Sequence, residues 1–439
     1  MKTTIPIPVL VLFSTLLACI GCSSGSKGGP HKHISRVEIK KVNGKYRIYK
    51  DGEPFLVKGG SGYTHLKELA EAGGNTIKTW DTLNLGSILD EAALYHLNVI
   101  VGLTIPKSEF IEEFYDDSSK TNSLIRAYQP VIQRYKNHPA LLAWCVGNEL
   151  DFPSRFKYKP FYRTFNKILE YIHQSDTNHP VTTTLINFTR RTVTNLKLKI
   201  PDLDFVSINS FAHLYELKKE VSDFSWFWNG PYLVTEWSPK GGWESEETAW
   251  QVPIENTSTK KAELYTAYYK NYVPLSDNRC LGSLAFYWGS KQEYTSTWFS
   301  IFDNTGSKTE VVEALHDCWN DTQTKHLSPQ LEFMLLDGKG ARDNILLERN
   351  TPHEARILLK QDSNQFQYQW EIVGEDWLKV GDENRPKPSS IRGLFTDSTS
   401  TIVKFNAPEK EGPYRIFVTV RDKNGYCATA NTPFYVLEK

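Results

Sequence analysis

Two apolar stretches of this 439-residue chain end on a carboxylic acid. LLAWCVGNEL, residues 141–150, runs from buried-type side chains into Gly147, Asn148 and Glu149; YLVTEW, residues 232–237, closes on Glu236 and Trp237. Two carboxylates delivered to one place by different segments suit the cleavage of an acetal. One protonates the leaving oxygen while the other attacks or stabilises the anomeric carbon. Close placement produces the required split, because a negative neighbour raises the pKa of a second carboxyl group. Taken singly, Glu149 also reads as a helix N-terminal or surface acid, and Glu236 as a structural acid paired with Lys78 or Lys240. Two strand-ending acids together favour the chemistry.

For both acids to share a site, their segments must end on one rim. Counting from PFLVKGG, short apolar runs fall near residues 55, 76, 99, 143, 182, 206, 233 and 284, which is eight. Helical patterns such as LGSILDEAALYHL and TKKAELYTAYYKNYV separate several of them. The alternation predicts an α/β fold: a (β/α)8 TIM barrel over 36–322, with its chemistry at the C-terminal strand ends. An Asn43-Gly44 turn between two alternating stretches predicts a hairpin before it. From 328 to 439 the helical period gives way to period two, with Phe366, Tyr368, Trp370 and Ile372 on one face. That predicts a C-terminal immunoglobulin-like β-sandwich, the stripe forming its core.

The N-terminus carries a short apolar run, then LLAC, then a Ser/Gly tract. LLAC resembles a bacterial lipobox, which makes Cys19 the expected lipidation site, with Cys22 the weaker candidate. Residues 1–22 read as a lipoprotein signal peptide and 23–35 as a flexible leash; an ordinary signal peptide is the plainer alternative. The expectation is an exported lipoprotein of a Gram-negative cell envelope, held to the membrane by an N-terminal lipid anchor. Lys+Arg and Asp+Glu are equal at 51 each, so no net field attracts nucleic acid, and the expected partner is a neutral polysaccharide or oligosaccharide. Twelve Trp and 22 Tyr supply flat amphipathic surface for such a ligand. Cys145, Cys280, Cys318 and Cys427 lack CxxC spacing and read as buried thiols, although a disulfide among them stays open. The histidines lack metal-ligand spacing, so neither metal nor cofactor is expected.

WCVGNE, residues 144–149, fits the W-x-x-G-N-E strand-four signature and resembles the clan A retaining glycoside hydrolases. GGNTIKTWD, PYLVTEW and AFYWGSKQEYTSTWFSIF are similar to segments of bacterial family 2-type barrels, and the likeness spans about residues 36–320. It implies that Glu149 is the general acid/base, Glu236 the nucleophile, Asn148 a donor to the sugar 2-hydroxyl and Trp288 a stacking floor. Trp80, Asp81, Trp237, Trp243 and Trp298 follow strands and are candidate substrate contacts, as are Asn209 and, more loosely, Asn75. Lys78 stands where such barrels usually have Arg, and keeps the charge without the bidentate fork. Phe211 stands where a Tyr usually holds the nucleophile, which leaves Tyr215, His213 or a different support. One barrel with a single C-terminal sandwich is closer in layout to the family 158 β-1,3-glucanases. The resemblance therefore implies a retaining hydrolase working by double displacement on a neutral β-linked glucan or related polysaccharide, with the layout pointing to an endo-β-1,3-glucanase. An exo-acting β-galactosidase or β-mannosidase, and a non-catalytic glycan-binding lipoprotein, are the alternatives. Hydrolysis and transglycosylation look alike at this level.

Overall fold

The computed structural model describes residues 35–361, 365–375 and 386–438. The expected signal peptide, Cys19, Cys22 and nearly all of the leash lie outside them. The described chain opens with β1 (Val37–Val42) and β2 (Lys45–Lys50), joined through Asn43 and Gly44 at φ 50° and 79°. Positive φ at both turn residues is what a two-residue hairpin demands. β3 (Glu53–Phe55) pairs with β2, so the PFLVKGG run is divided at exposed Leu56: its first part stays with the hairpin and only the rest enters the barrel. Val37 and Ile48 of this hairpin pack on Val57, Leu142, Phe205, Leu233 and Leu281, covering the lower mouth of the barrel.

The barrel strands are β4 (Val57–Ser61), β5 (Thr76–Lys78), β6 (Asn98–Leu103), β7 (Leu141–Val146), β8 (Val181–Ile186), β9 (Phe205–Asn209), β10 (Tyr232–Trp237) and β11 (Cys280–Phe286), closed in order with β11 beside β4. All neighbours are parallel. Every residue of β6 and β7 is buried, because side chains fill the barrel on one face and helices cover the other. The helices are α1 (Leu66–Glu71), α2 (Leu85–Leu94), α3 (Ser118–Tyr135), α4 (Lys159–Ser175), α5 (Arg190–Lys199), α6 (Leu214–Asp223), α7 (Ser258–Asn271) and α8 (Glu310–Asn320). On α4, Phe161, Phe165, Ile168, Leu169 and Ile172 repeat at helical spacing and are buried. No helix among the described residues is long and apolar enough to cross a membrane.

Beyond the barrel, two sheets enclose a second core. One contains β16 (Gln367–Gly374), β18 (Gly412–Arg421) and β19 (Tyr426–Leu437), with β14 (Leu346–Glu348) and β12 (Lys308–Thr309) both pairing with β19. The other is β13 (Leu331–Leu336), β15 (Pro352–Leu359) and β17 (Ile402–Asn406). Trp370 and Ile372 are buried between the sheets, with Phe366 and Tyr368 at the margin of the same core. The strand β12 leaves the last barrel loop to join the sandwich, so the two cores are tied by backbone pairing. Cys145, Cys280, Cys318 and Cys427 are all buried and unbridged.

Candidate active site

Both acids owe their aim to irregular backbone at a strand end. β7 leaves the sheet at Gly147, where φ is 74° and an added Cβ would lie 2.3 Å from Leu150 Cδ1, so glycine is required twice over. Glu149 has φ 54°, a left-handed conformation that costs a non-glycine residue about 1–3 kcal/mol and is typical of functional sites. On β10 the pairing with β9 runs Leu233 to Ser207 and Val234 to Ile208, then skips Thr235, so that Glu236 lies opposite Asn209. The pairing with β11 slips over the same stretch. A bulge of this kind re-aims side chains, and here it lets Glu236 face the cavity while Trp237 faces the helices.

Glu149 and Glu236 line one cavity of ≈ 540 Å³, together with Asn148, Asn209, Trp80 and Asp81. The volume lies within the range of small-ligand sites. Glu236 Oε1 accepts from Lys78 Nζ at 2.7 Å and from Trp80 Nε1 at 2.8 Å. The Lys78–Glu236 pair is almost fully dry, with side-chain exposures of 1% and 5%. Lys78 also donates to Asn148 Oδ1 at 2.7 Å and sits 5.6 Å from the Trp80 ring centre, so one ammonium joins the strand ends that carry both acids. Asn209 Nδ2 donates to Glu149 Oε1 at 2.8 Å, and its Oδ1 accepts from Thr235 Oγ1 at 2.9 Å, which fixes the amide orientation.

The support of Glu236 is therefore the Trp80 indole and Lys78, which answers the substitution by Phe211. Phe211 lines the cavity as a ring, whereas Tyr215 and His213 lie exposed on the helical layer and do not line it. Asp81 reaches the cavity but accepts from Leu83 N at 2.7 Å, closing its own turn. Asn75 is bonded to Lys58 N and Leu56 O, at the opposite strand ends.

Three tryptophans expected at the substrate lie elsewhere. Trp288 is 0% exposed: its side chain fills space left by Gly60, where a Cβ would lie 2.5 Å from the Trp288 Cβ, and its indole donates to the His65 carbonyl. It packs on Phe302 and Trp319 as core. Trp237 is pressed on Tyr265 and Tyr269 of α7. Trp298 donates to the Lys240 carbonyl and stands behind the cavity against Tyr294. The rings that do line the cavity are Trp80, Tyr287, Phe286, Phe211, Trp243 and Tyr63. Tyr287 follows Phe286 through a cis peptide bond and stacks on Trp80 at 5.7 Å. Asn187, just past β8, also lines the cavity and accepts from Ser210 Oγ; inspecting every strand end for a polar residue finds it.

Five carboxylates line the cavity (Asp81, Glu149, Glu236, Glu244 and Glu293) against one lining lysine, Lys291, which is paired with Glu293 at 2.6 Å. Glu244 accepts from the Ala212 and Gly241 backbone N–H groups. Among the described residues, His213, Glu216 and Glu220 can bring ligand atoms within 4.8 Å of one another, but none of the three lines the cavity.

Residues 78–273, from the end of β5 to just past α7, match the family model described as Glycosyl hydrolases family 2, TIM barrel domain. The barrel is thus a glycoside hydrolase domain. Among curated proteins no relative matches the chain. Solved structures similar to it include an endo-beta-1,4-mannanase from Thermotoga petrophila, at 12% identity and TM-score 0.44, covering 89% of this chain and 99% of that one. A beta-glucuronidase 3 of Bacteroides uniformis follows at 14% identity and TM-score 0.48, covering 92% and 52%. A GH2 beta-galacturonidase from Eisenbergiella tayi shows 14% identity and TM-score 0.49, covering 66% and 55%. The chain thus spans the whole of the mannanase but about half the length of the two uronidases. At these values the likenesses assign neither activity nor substrate.

Proposed function

We propose that this protein is a retaining β-glycoside hydrolase acting by double displacement on a neutral β-linked glucan. The carrying observation is the pair of strand-ending acids on one cavity with different partners. Glu236 accepts from an ammonium and an indole, donors suited to an anionic oxygen; Glu149 takes an amide donor from Asn209. In the first step the Glu149 carboxyl gives its proton to the glycosidic oxygen as the C1–O bond breaks, and the Glu236 carboxylate forms an ester at C1. Asn148, oriented by Lys78, donates to the sugar 2-hydroxyl. In the second step Glu149 removes a proton from water, the water oxygen bonds to C1, and Glu236 leaves as carboxylate.

A neutral sugar fits a cavity whose excess of carboxylates repels uronates. Within that class we take endo-cleavage of β-1,3-glucan, on the layout of one barrel followed by a single sandwich of immunoglobulin-like kind. Export as a lipoprotein acylated at Cys19 goes with this reading, since a polysaccharide is met outside the cytoplasm. The experiment is a panel of β-glucans, mannans and galactans given to wild type and Glu149→Gln, with product lengths resolved. Release of a ladder of oligosaccharides from β-1,3-glucan by wild type alone is expected. Equal turnover by the variant removes the assignment of Glu149, and products from mannan or galactan only remove the glucan.

A further inference from the structure

Two loops build the outer wall of the cavity: 241–255, which carries Trp243 and Glu244, and 287–303, which carries Lys291 and Glu293. Both are held from behind by one buried polar network centred on Glu255. Its Oε2 accepts from Thr295 Oγ1 at 2.6 Å and from Asn431 Nδ2 of β19 at 2.7 Å. Its Oε1 accepts from Thr297 Oγ1 at 2.8 Å and from Lys261 Nζ at 2.5 Å, and Lys261 also donates to the Thr297 carbonyl. Arg415 of β18 donates to Asn431 Oδ1, to the Pro253 carbonyl and to Glu375, so it touches the first loop directly. Glu255, Arg415 and Asn431 are all buried. At its near end the first loop is also met by the sandwich residues Arg342, paired with Glu246, and Asn344, which accepts from Ala249 N.

A buried ionic network is expensive to desolvate, and apolar packing would bind the sandwich to the barrel at least as well. Polar groups instead define one geometry, because each has a small number of satisfied arrangements. Here the groups so defined are the backs of the walls that face substrate.

We propose that Asn431 and Arg415 of the sandwich, acting through Glu255, are positioning residues for the cavity wall, so that the C-terminal domain sets polysaccharide affinity without touching the ligand. The kinetic arm of the test rests on the hydrolase reading; the exchange arm does not. Hydrogen–deuterium exchange is measured on wild type, Asn431→Leu, Thr297→Val and Thr297→Ser. Faster exchange in both loops for Asn431→Leu and Thr297→Val, with β7 still protected and Thr297→Ser like wild type, is expected; unchanged loop exchange overturns the proposal. Kinetics on the polysaccharide then separate positioning from general damage. KM rising about fivefold or more with kcat within about twofold, and Lys291→Ala adding little to Asn431→Leu, is the expected pattern. A falling kcat at unchanged KM, or fully multiplicative effects in the double variant, overturns it. Should Asn431→Leu not fold, the Thr297 pair carries both arms. Absence of hydrolysis by wild type contradicts the hydrolase reading alone, and the exchange result still decides whether Asn431 and Arg415 position the cavity wall.

Discussion

Asn209 donates to Glu149 across 2.8 Å, and the same residue lies opposite Glu236 in the pairing of β9 with β10. One amide thus ties the position of Glu149 to the strand that presents Glu236. A hydrogen bond to a carboxylate contributes about 1.5–3 kcal/mol. Asn209→Ala should therefore lower kcat by about 10- to 100-fold, with KM changed much less. Steady-state kinetics on the preferred glucan checks this, and an intact rate would remove Asn209 from the machinery.

Lys78→Met strands the Glu236 carboxylate in a dry site. Removing one member of a buried pair costs about 3–5 kcal/mol. Urea unfolding should show that loss, and the double variant Lys78→Met/Glu236→Leu should be more stable than Lys78→Met alone. Activity is absent from both.

The left-handed conformation of Glu149 sets stability against function. Asn tolerates positive φ better than Glu, so Glu149→Asn should abolish hydrolysis while leaving the thermal midpoint level or higher. A midpoint lowered by several degrees would show that Glu149 contributes more to the fold than its backbone costs.

Trp80 and Trp288 should separate cleanly. Trp80→Phe removes the indole donor to Glu236 and should slow turnover about tenfold or more at near-native stability. Trp288→Ala empties a core position and should cost about 3–5 kcal/mol, with KM for the remaining folded enzyme unchanged.

His326 offers a pH test away from the site. Its bond to Glu310 raises its pKa above the usual 6.5, against the opposing effect of burial; Glu313 and Asp317 add to the rise. A folded pKa above the unfolded one means that the stabilisation is complete below about 6.5 and is lost as pH climbs through the higher folded value. The difference in thermal midpoint between wild type and His326→Gln should therefore shrink from pH 6 to pH 8.

Much of the barrel was legible because parallel strands buried on both faces are continuous apolar runs. LLAWCV, NVIVGL and YLVTEW stand out on that basis alone. The helices α5 and α6 leave little signal in the sequence: RRTVTNLKLK buries only Val193, Asn195 and Leu196, too few for a clear helical period, and LYELKKEVSD is similarly sparse. EVVEALHDCWN on α8 buries a full face and carries a readable helical period, lying inside the expected barrel just before the composition changes near residue 320. Glu149 and Glu236 are legible because the strand ends of such a barrel point to one rim. Trp288 is hard to place from sequence because in FYW a one-residue shift moves a ring between cavity and core, and the Gly60 gap that receives it lies far off in sequence. The bulge at Thr235 and the Asn209 bridge depend on pairing between strands, which no single segment displays.

The most direct test of double displacement is the configuration of the first product. Proton NMR of β-1,3-glucan digested in D2O should show new reducing ends appearing first as the β anomer, with α following by mutarotation. New ends appearing first as α would mean inversion, and Glu236 could not be the nucleophile.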